Sequence, residues 1–173
     1  MRQHIDNFLN YIRVQKNYSE LTQKAYAIDL NQFAEYFENE KVKDIEEIDK
    51  KSVRMFISHL SETGMKKRSL SRKVATLKSF FKFLTREKIV KKNPMSLIKT
   101  PSFEKKLPVF ISVDVINGFL DSMKGEQFTD IRDRLIFEML YATGMRSNEL
   151  VSLDTEDISI SEMTVKIKHA KGG

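Results

Sequence analysis

The sequence predicts a mainly α fold in two modules, a bundle of four to five helices followed by the helical and first-strand start of an α+β domain. Three features predict it. Apolar residues recur every three or four positions through most of the first half, the period of a helix with one buried face. From Lys99 to Pro108 runs a charged stretch with two prolines and no apolar period, which reads as a linker. Near the end, Met163, Val165, Ile167 and His169 alternate with Thr164, Lys166 and Lys168, the period of a half-buried strand. The modules are therefore expected at residues 1–98 and 109–173, joined by 99–108.

In the first helix Ile5, Phe8, Leu9 and Ile12 follow the i, i+3, i+4, i+7 rule. Ser19 can cap a longer second helix, its hydroxyl accepting from a free backbone donor of the first turn. Leu21, Ala25 and Ile28, with the neighbouring row Tyr26, Leu30, Phe33 and Phe37, give that helix a wide apolar face. A third helix starts near Asp49, buries Val53, Phe56, Ile57 and Leu60, and stops at Gly64. The fourth runs from Ser69 to about Glu87, with Leu70, Val74, Leu77, Phe81 and Leu84 stepping by four and three along one core stripe. On its other face Arg68, Arg72, Thr76, Ser79, Lys82 and Arg86 recur at the same spacing as a row of cations and hydroxyls. Asn93-Pro94 ends the helical register, because the residue before proline is pushed out of the helical region.

Beyond the linker, Ser112 can cap a helix burying Ile116, Phe119, Leu120 and Met123. Another helix, from about Thr129, carries Leu135, Ile136, Met139 and Leu140 inward and stops at Gly144. Ser147 can cap a short helix with Leu150 and Val151. The strand after it needs a partner for its backbone donors and acceptors, expected beyond the turn begun by Lys171-Gly172-Gly173, which would leave the second domain incomplete.

Composition narrows the chemistry. With 40% hydrophobic residues over 173 positions the chain has enough apolar material for a packed core. There are no cysteines, and the three histidines (His4, His59, His169) are scattered, so neither a disulfide framework nor metal-ligand spacing is present. No metal and no other cofactor is expected. No run approaches the roughly 18 apolar residues of a membrane span, and the first residues lack the apolar stretch of a signal peptide. A cytoplasmic protein with no membrane partner is expected.

The formal charge of +6 is unevenly spread. Residues 1–108 carry 23 basic and 13 acidic side chains, a balance of +10, whereas residues 109–173 carry 7 and 11, a balance of −4. Lys66 to Lys92 alone holds eleven basic residues against one acid, Glu87. Solvated helix faces generally mix signs to gain i, i+4 support, and this one does not. A polyanionic partner is the better explanation.

The segment Leu135-Ile136-Phe137-Glu138-Met139-Leu140-Tyr141-Ala142-Thr143-Gly144-Met145-Arg146-Ser147-Asn148-Glu149-Leu150 places an arginine after a glycine-terminated helix and before a short one. A guanidinium on such a mount can grip two phosphate oxygens with its planar fork. Spacing alone also allows a purely structural pair of Arg146 with Glu149. The segment closely resembles the first arginine motif of the tyrosine recombinases, the phage integrase family, and especially of the Xer-type members. There a helix ends in Ala-Thr-Gly-hydrophobic-Arg and continues into a short helix with Glu-Leu. Thr22, Tyr26, Asp29-Leu30 and Phe33, then Ser71 to Leu84, extend the resemblance to the family's SAM-like core-binding domain.

The resemblance implies roles. Arg146 would clamp the scissile phosphate and stabilise the charge growing on its oxygens, with Glu149 orienting it. Lys171 stands where the family has its catalytic lysine, which protonates the departing 5′ oxygen; Ala170 departs from the usual glycine there, and Lys168 is the fallback. On the bundle, Arg68, Ser69, Arg72, Lys73, Lys78 and Lys82 of the fourth helix and Thr22 and Lys24 of the second are the expected contacts to double-stranded DNA. The family completes its site with His-x-x-Arg, a further His or Trp and a nucleophilic tyrosine. None of these stands within residues 1–173, whose five tyrosines are Tyr11, Tyr18, Tyr26, Tyr36 and Tyr141. The chain is thus expected to bind DNA without cleaving it, and to self-associate on DNA, as a tetramer in the intact enzyme. A non-catalytic DNA-binding derivative of a recombinase and a basic helical interaction module are the competing readings.

Overall fold

The structure, a computed structural model, describes residues 1–42, 44–103, 107 and 109–168 and divides into two compact units, Met1–Lys106 and Leu107–Gly173. No helix among the described residues is long and apolar enough to cross a membrane.

The first unit is a helical bundle of α1 (Arg2–Val14), α2 (Glu20–Asn39), α3 (Lys50–Glu62) and α4 (Lys67–Arg86), with a single 3₁₀ turn at Ile45–Glu47. Its start signals act as the sequence predicts. Ser19 Oγ accepts from the backbone N–H of Thr22 at 3.4 Å, and Asp49 Oδ1 accepts from Ser52 N–H at 2.8 Å. Gly64, at φ +79°, supplies the left-handed stop after α3. Ile5, Phe8 and Ile12 of α1, Val53, Phe56 and Leu60 of α3, and the whole α4 stripe of Leu70, Val74, Leu77, Phe81 and Leu84 are buried in one core.

Aromatic rings knit the helices together within that core. Phe33 of α2 meets Phe56 of α3 and Phe81 of α4 edge-on at centroid distances of 5.3 and 5.9 Å, and Phe8 of α1 meets Phe80 of α4 at 5.4 Å. On α2 the inward row is Leu30, Phe33, Ala34 and Phe37, while Leu21 and Ile28, expected to face the core, are 71% and 66% exposed. At about 100° per residue, Ile28 and Leu30 point to nearly opposite sides, so both rows cannot enter one core. The row with the aromatic residues wins.

The second unit carries α5 (Val113–Ser122), α6 (Phe128–Thr143), the short α7 (Ser147–Val151), a 3₁₀ turn at Thr155–Asp157 and a two-stranded antiparallel ribbon of β1 (Ile158–Ser159) and β2 (Thr164–Val165). Ser112 holds the N-cap position of α5 but its side chain makes no capping bond. The helices fall where the apolar period places them, yet little of their apolar face is covered. Leu120 is buried, but Phe119 is exposed and α6 has no buried residue. Two long helices and a short ribbon are too few layers to enclose a core.

The ribbon adds a strand that the sequence does not suggest: β1 precedes β2 and pairs with it, Ile158 opposite Val165 and Ser159 opposite Thr164. Among the described residues the paired part of the alternating run is two residues long, while His169 and the turn from Lys171 lie outside the described residues. Ile158–Ser159 carries too little alternation to be legible as a strand. The turn closes with Met163 at φ +53°.

Candidate nucleic-acid interface and phosphate-gripping arginine

The outer face of α4 is built around a buried carboxylate. Asp29 of α2 has no exposed surface, and its two oxygens take three side-chain donors from α4. Lys73 Nζ donates to Oδ1 at 2.8 Å, while Arg72 Nη1 and Thr76 Oγ1 donate to Oδ2 at 2.5 and 3.0 Å. A charge sealed in a core needs such saturation, because an unmatched carboxylate there is strongly disfavoured. Arg72 also donates to the Ala25 carbonyl at 3.3 Å, yet its side chain stays 47% exposed, so the guanidinium is anchored on one edge and open to solvent on the other.

This arrangement removes one expected DNA contact. Lys73 is 2% exposed, with its ammonium consumed by Asp29, and cannot reach a phosphate. Thr76, placed by spacing on the hydrophilic row, is likewise buried. The other positions keep their access to different degrees. Arg68, Lys82 and Lys24 are exposed, Ser69 and Thr22 are half-buried, and the half-buried Lys78 donates from Nζ to Thr100 Oγ1 at 2.9 Å. Thr22 also shares a hydroxyl hydrogen bond of 2.9 Å with Ser19, which ties it to the start of α2.

In the second unit the arginine mount is explicit. Gly144 takes φ +65° at the end of α6, its N–H donating to the Leu140 carbonyl at 3.0 Å. No side chain crowds Gly144, so the left-handed backbone alone calls for glycine there. Met145 turns into the unit, 6% exposed, and Arg146 occupies the N-cap of α7. The helix thus starts on Ser147 with Arg146 as its cap residue, one position before the serine cap the sequence suggests. Glu149, at the third position of α7, reaches back twice: Oε2 accepts from the Arg146 backbone N–H at 2.7 Å and Oε1 from its Nη1 at 2.6 Å. Those bonds, the backbone one first, hold the Glu149 carboxyl below the usual carboxylate range.

Arg146 and Glu149 therefore form the pair that spacing alone allowed, and the pair leaves the arginine open. The Glu149 side chain is 8% exposed and that of Arg146 65%, so one nitrogen is tethered and the rest of the fork faces solvent. Lys168, the fallback for a proton donor, is paired with Asp157 at 2.8 Å and Asp154 at 3.2 Å. Hydrogen bonding to Asp157, then to Asp154, raises its pKa, the opposite of what a proton donor at neutral pH needs. Lys171 lies outside the described residues.

Comparison with known proteins identifies the family. The N-terminal SAM-like domain of phage integrase matches residues 5–88, and the phage integrase family profile matches residues 110–173. The chain belongs to the phage integrase family. Among its tyrosine recombinase relatives, the XerD of Staphylococcus epidermidis is 37% identical over 163 residues, 94% of this chain and 55% of that protein. The XerC of Anoxybacillus flavithermus is 35% identical over 160 residues, 92% of this chain and 53% of that protein. The chain thus spans about half the length of the curated relatives it matches. The integrase of transposon Tn1549, solved in complex with circular intermediate DNA, shares the fold, with a TM-score of 0.68 at 17% identity over 96% of this chain and 54% of that one.

Within this phage integrase member, the residue that sequence reasoning left without a role is Asp29. Its signal was present: a carboxylate one position before Leu30 and four before Phe33, on the apolar side of a helix, must find cations.

Proposed function

We propose that residues 1–173 form the DNA-binding portion of a site-specific tyrosine recombinase that grips duplex DNA with the α4 ridge and presents Arg146 to a phosphodiester. The observation that carries this reading is the pair of anchored, half-open guanidiniums. Arg72 is pinned by Asp29 on the bundle, and Arg146 by Glu149 in the second unit. Each is held by a buried carboxylate and keeps donors turned to solvent, which lowers the ordering cost of gripping an anion.

On this reading Arg68, Ser69, Arg72, Lys78, Lys82, Thr22 and Lys24 contact DNA, mostly its phosphates. Arg146 stabilises the charge that develops on the scissile phosphate, Glu149 orients it, and Lys171 protonates the leaving 5′ oxygen. Strand exchange through a 3′-phosphotyrosyl link is the activity of the intact enzyme, assembled as a tetramer on its sites. These residues alone bind without cutting, because Tyr11, Tyr18, Tyr26 and Tyr36 belong to the bundle and Tyr141 sits on α6 ahead of the arginine.

Footprinting on candidate repeat sequences, followed by a salt titration of affinity, tests the reading. If about six phosphates are neutralised, log affinity falls against log salt with a slope near −5. Arg72→Glu lowers affinity by roughly tenfold or more, and no covalent adduct forms with nicked duplex. Salt-insensitive binding that survives Arg72→Glu overturns it.

A further inference from the structure

A cleft of about 360 Å³ opens on the bundle where α1 approaches the far half of α4, lined by Tyr11, Lys16, Tyr18, Ser79, Lys82 and Arg86 among others. Three of the lining side chains are cations and none of those described is a carboxylate. The convergence is not the work of one helix. Lys16 follows the end of α1, whereas Lys82 and Arg86 stand one turn apart on α4. Like charges drawn together from two elements repel unless an anion joins them.

Inside the cleft the groups are already arranged. Arg86 Nη1 donates to the Tyr11 hydroxyl at 2.7 Å, and its guanidinium lies 4.2 Å from the centroid of the Tyr11 ring. Lys16 Nζ is 5.9 Å from the same centroid. Burial pushes the Tyr11 phenol up, but hydrogen bonds and charge from Arg86 and Lys16 outweigh it and leave the group below its ordinary value. The phenol thus registers a positive field that favours a negative oxygen at this spot. Among the described residues, the carboxylate that pairs with Arg86 lies outside the cleft lining, Arg86 Nε and Nη2 donating to Glu87 Oε1 at 2.9 and 2.8 Å.

The geometry points to a phosphate site, and we propose that the cleft seats one backbone phosphodiester of bound DNA between Lys16, Lys82 and Arg86, with the Ser79 hydroxyl as a further donor. Arg86 lies over the Tyr11 ring, which also stacks on Phe83 at a centroid distance of 5.0 Å, and three cations converging on one cleft suit an anionic diester. The inference rests on the DNA-binding reading above and extends it from α4 to the end of α1.

The test is duplex binding by the 173-residue chain across a salt series, for wild type, Lys16→Ala, Lys82→Ala, the double variant, Glu87→Gln and the α3 control Lys51→Ala, each checked for unchanged helical content. Each cleft lysine variant is expected to weaken binding about three- to tenfold at low salt and to shrink the slope by up to about one. The double variant shrinks the slope no further, because both lysines address one phosphate. Glu87→Gln tightens binding by releasing Arg86, and Lys51→Ala matches wild type. If Lys16→Ala leaves affinity and slope untouched while Arg72→Glu still weakens binding, the cleft assignment fails and the ridge reading stands. Wild-type binding that is indifferent to salt overturns both. Inorganic phosphate and dAMP are titrated alongside. Weak binding of each, lost in Lys16→Ala, is the expected result, whereas dAMP held more tightly than duplex overturns the assignment in favour of a small-molecule site.

Discussion

Asp29 and Arg72 meet across α2 and α4 with the carboxylate fully buried and the guanidinium half exposed, 2.5 Å apart. The pair joins the core of the bundle to its outer ridge: what the core fixes at one end of the guanidinium, the surface presents at the other. Because Lys73 and Thr76 share the same carboxylate, removing Asp29 strands two cations and a hydroxyl at once. Asp29→Ala is expected to destabilise the bundle by about 3–5 kcal/mol, the cost of leaving a buried partner charge uncompensated. Asp29→Asn keeps the shape and one acceptor and should cost less, with DNA affinity falling further than folding explains because Arg72 is no longer held. Urea denaturation and duplex binding, measured on the same samples, check both. Wild-type affinity in a folded Asp29→Asn variant would sink the positioning role.

Lys73 gives the opposite signature. It lies in the most basic stretch of the chain, yet its ammonium is spent inside the protein. Lys73→Met is predicted to leave the salt slope of DNA binding unchanged, whereas Arg68→Ala shrinks it by about one. Lys73→Met should also destabilise the bundle, since Arg72 and Thr76 both donate to Oδ2 of Asp29 and Oδ1 loses its side-chain donor, so the slope is compared on samples shown to be folded. A slope that drops as much for Lys73→Met as for Arg68→Ala would return Lys73 to the DNA face.

The contrast between these two lysine and arginine positions also shows what the sequence could and could not disclose. Helix positions were legible because Leu70, Val74, Leu77, Phe81 and Leu84 repeat the helical period and α4 has one way to bury them. The arginine mount was legible because Gly144 is forced by a left-handed backbone and Glu149 stands three residues from Arg146. The sorting of cations on α4 was not legible. Arg72 and Lys73 are neighbours in the chain, about 100° apart on the helix, and which of them faces water depends on Asp29, 43 and 44 residues away. The β1 strand was missed for a related reason, since two residues carry no period and only their pairing with Val165 and Thr164 defines them.

Acid should loosen the second unit. Bonds from Arg146 depress the Glu149 carboxyl, and the Lys168 side chain followed by the Asp154 backbone N–H depresses that of Asp157. A carboxyl whose folded pKa lies below its unfolded value contributes stability that is present above the unfolded pKa, about 4, and lost as pH falls through the folded one. Lys168 is raised, so its contribution is complete below its unfolded pKa of about 10.4 and fades only as pH rises through the folded value. The unit is therefore predicted to hold a plateau from about pH 5 to 10 and to lose it at acid pH. The backbone amides of Arg146 and Asp154, which donate to these carboxylates, report the change in an NMR titration. Amide shifts that stay flat down to pH 2 would contradict the assignment.

Arg146 itself is tested by removing charge from the DNA rather than from the protein. With one nitrogen tied to Glu149 and the side chain 65% exposed, the guanidinium has donors left for a phosphate, and a phosphodiester at the scissile position should contribute to affinity through it. Replacing that one linkage by a neutral methylphosphonate is predicted to weaken binding of the wild-type chain by several-fold, and to have little effect on Arg146→Ala, which has already lost the contact. Arg146→Lys should fall between, because an ammonium keeps the charge but not the planar fork. Glu149→Gln should retain most of the discrimination, since its amide oxygen can still accept from the Arg146 backbone, while Glu149→Ala loses it by freeing the tether. If wild type and Arg146→Ala respond equally to the neutral linkage at every position of the footprint, this arginine grips no phosphate in the bound state, and Glu149 holds it for the sake of α7 alone.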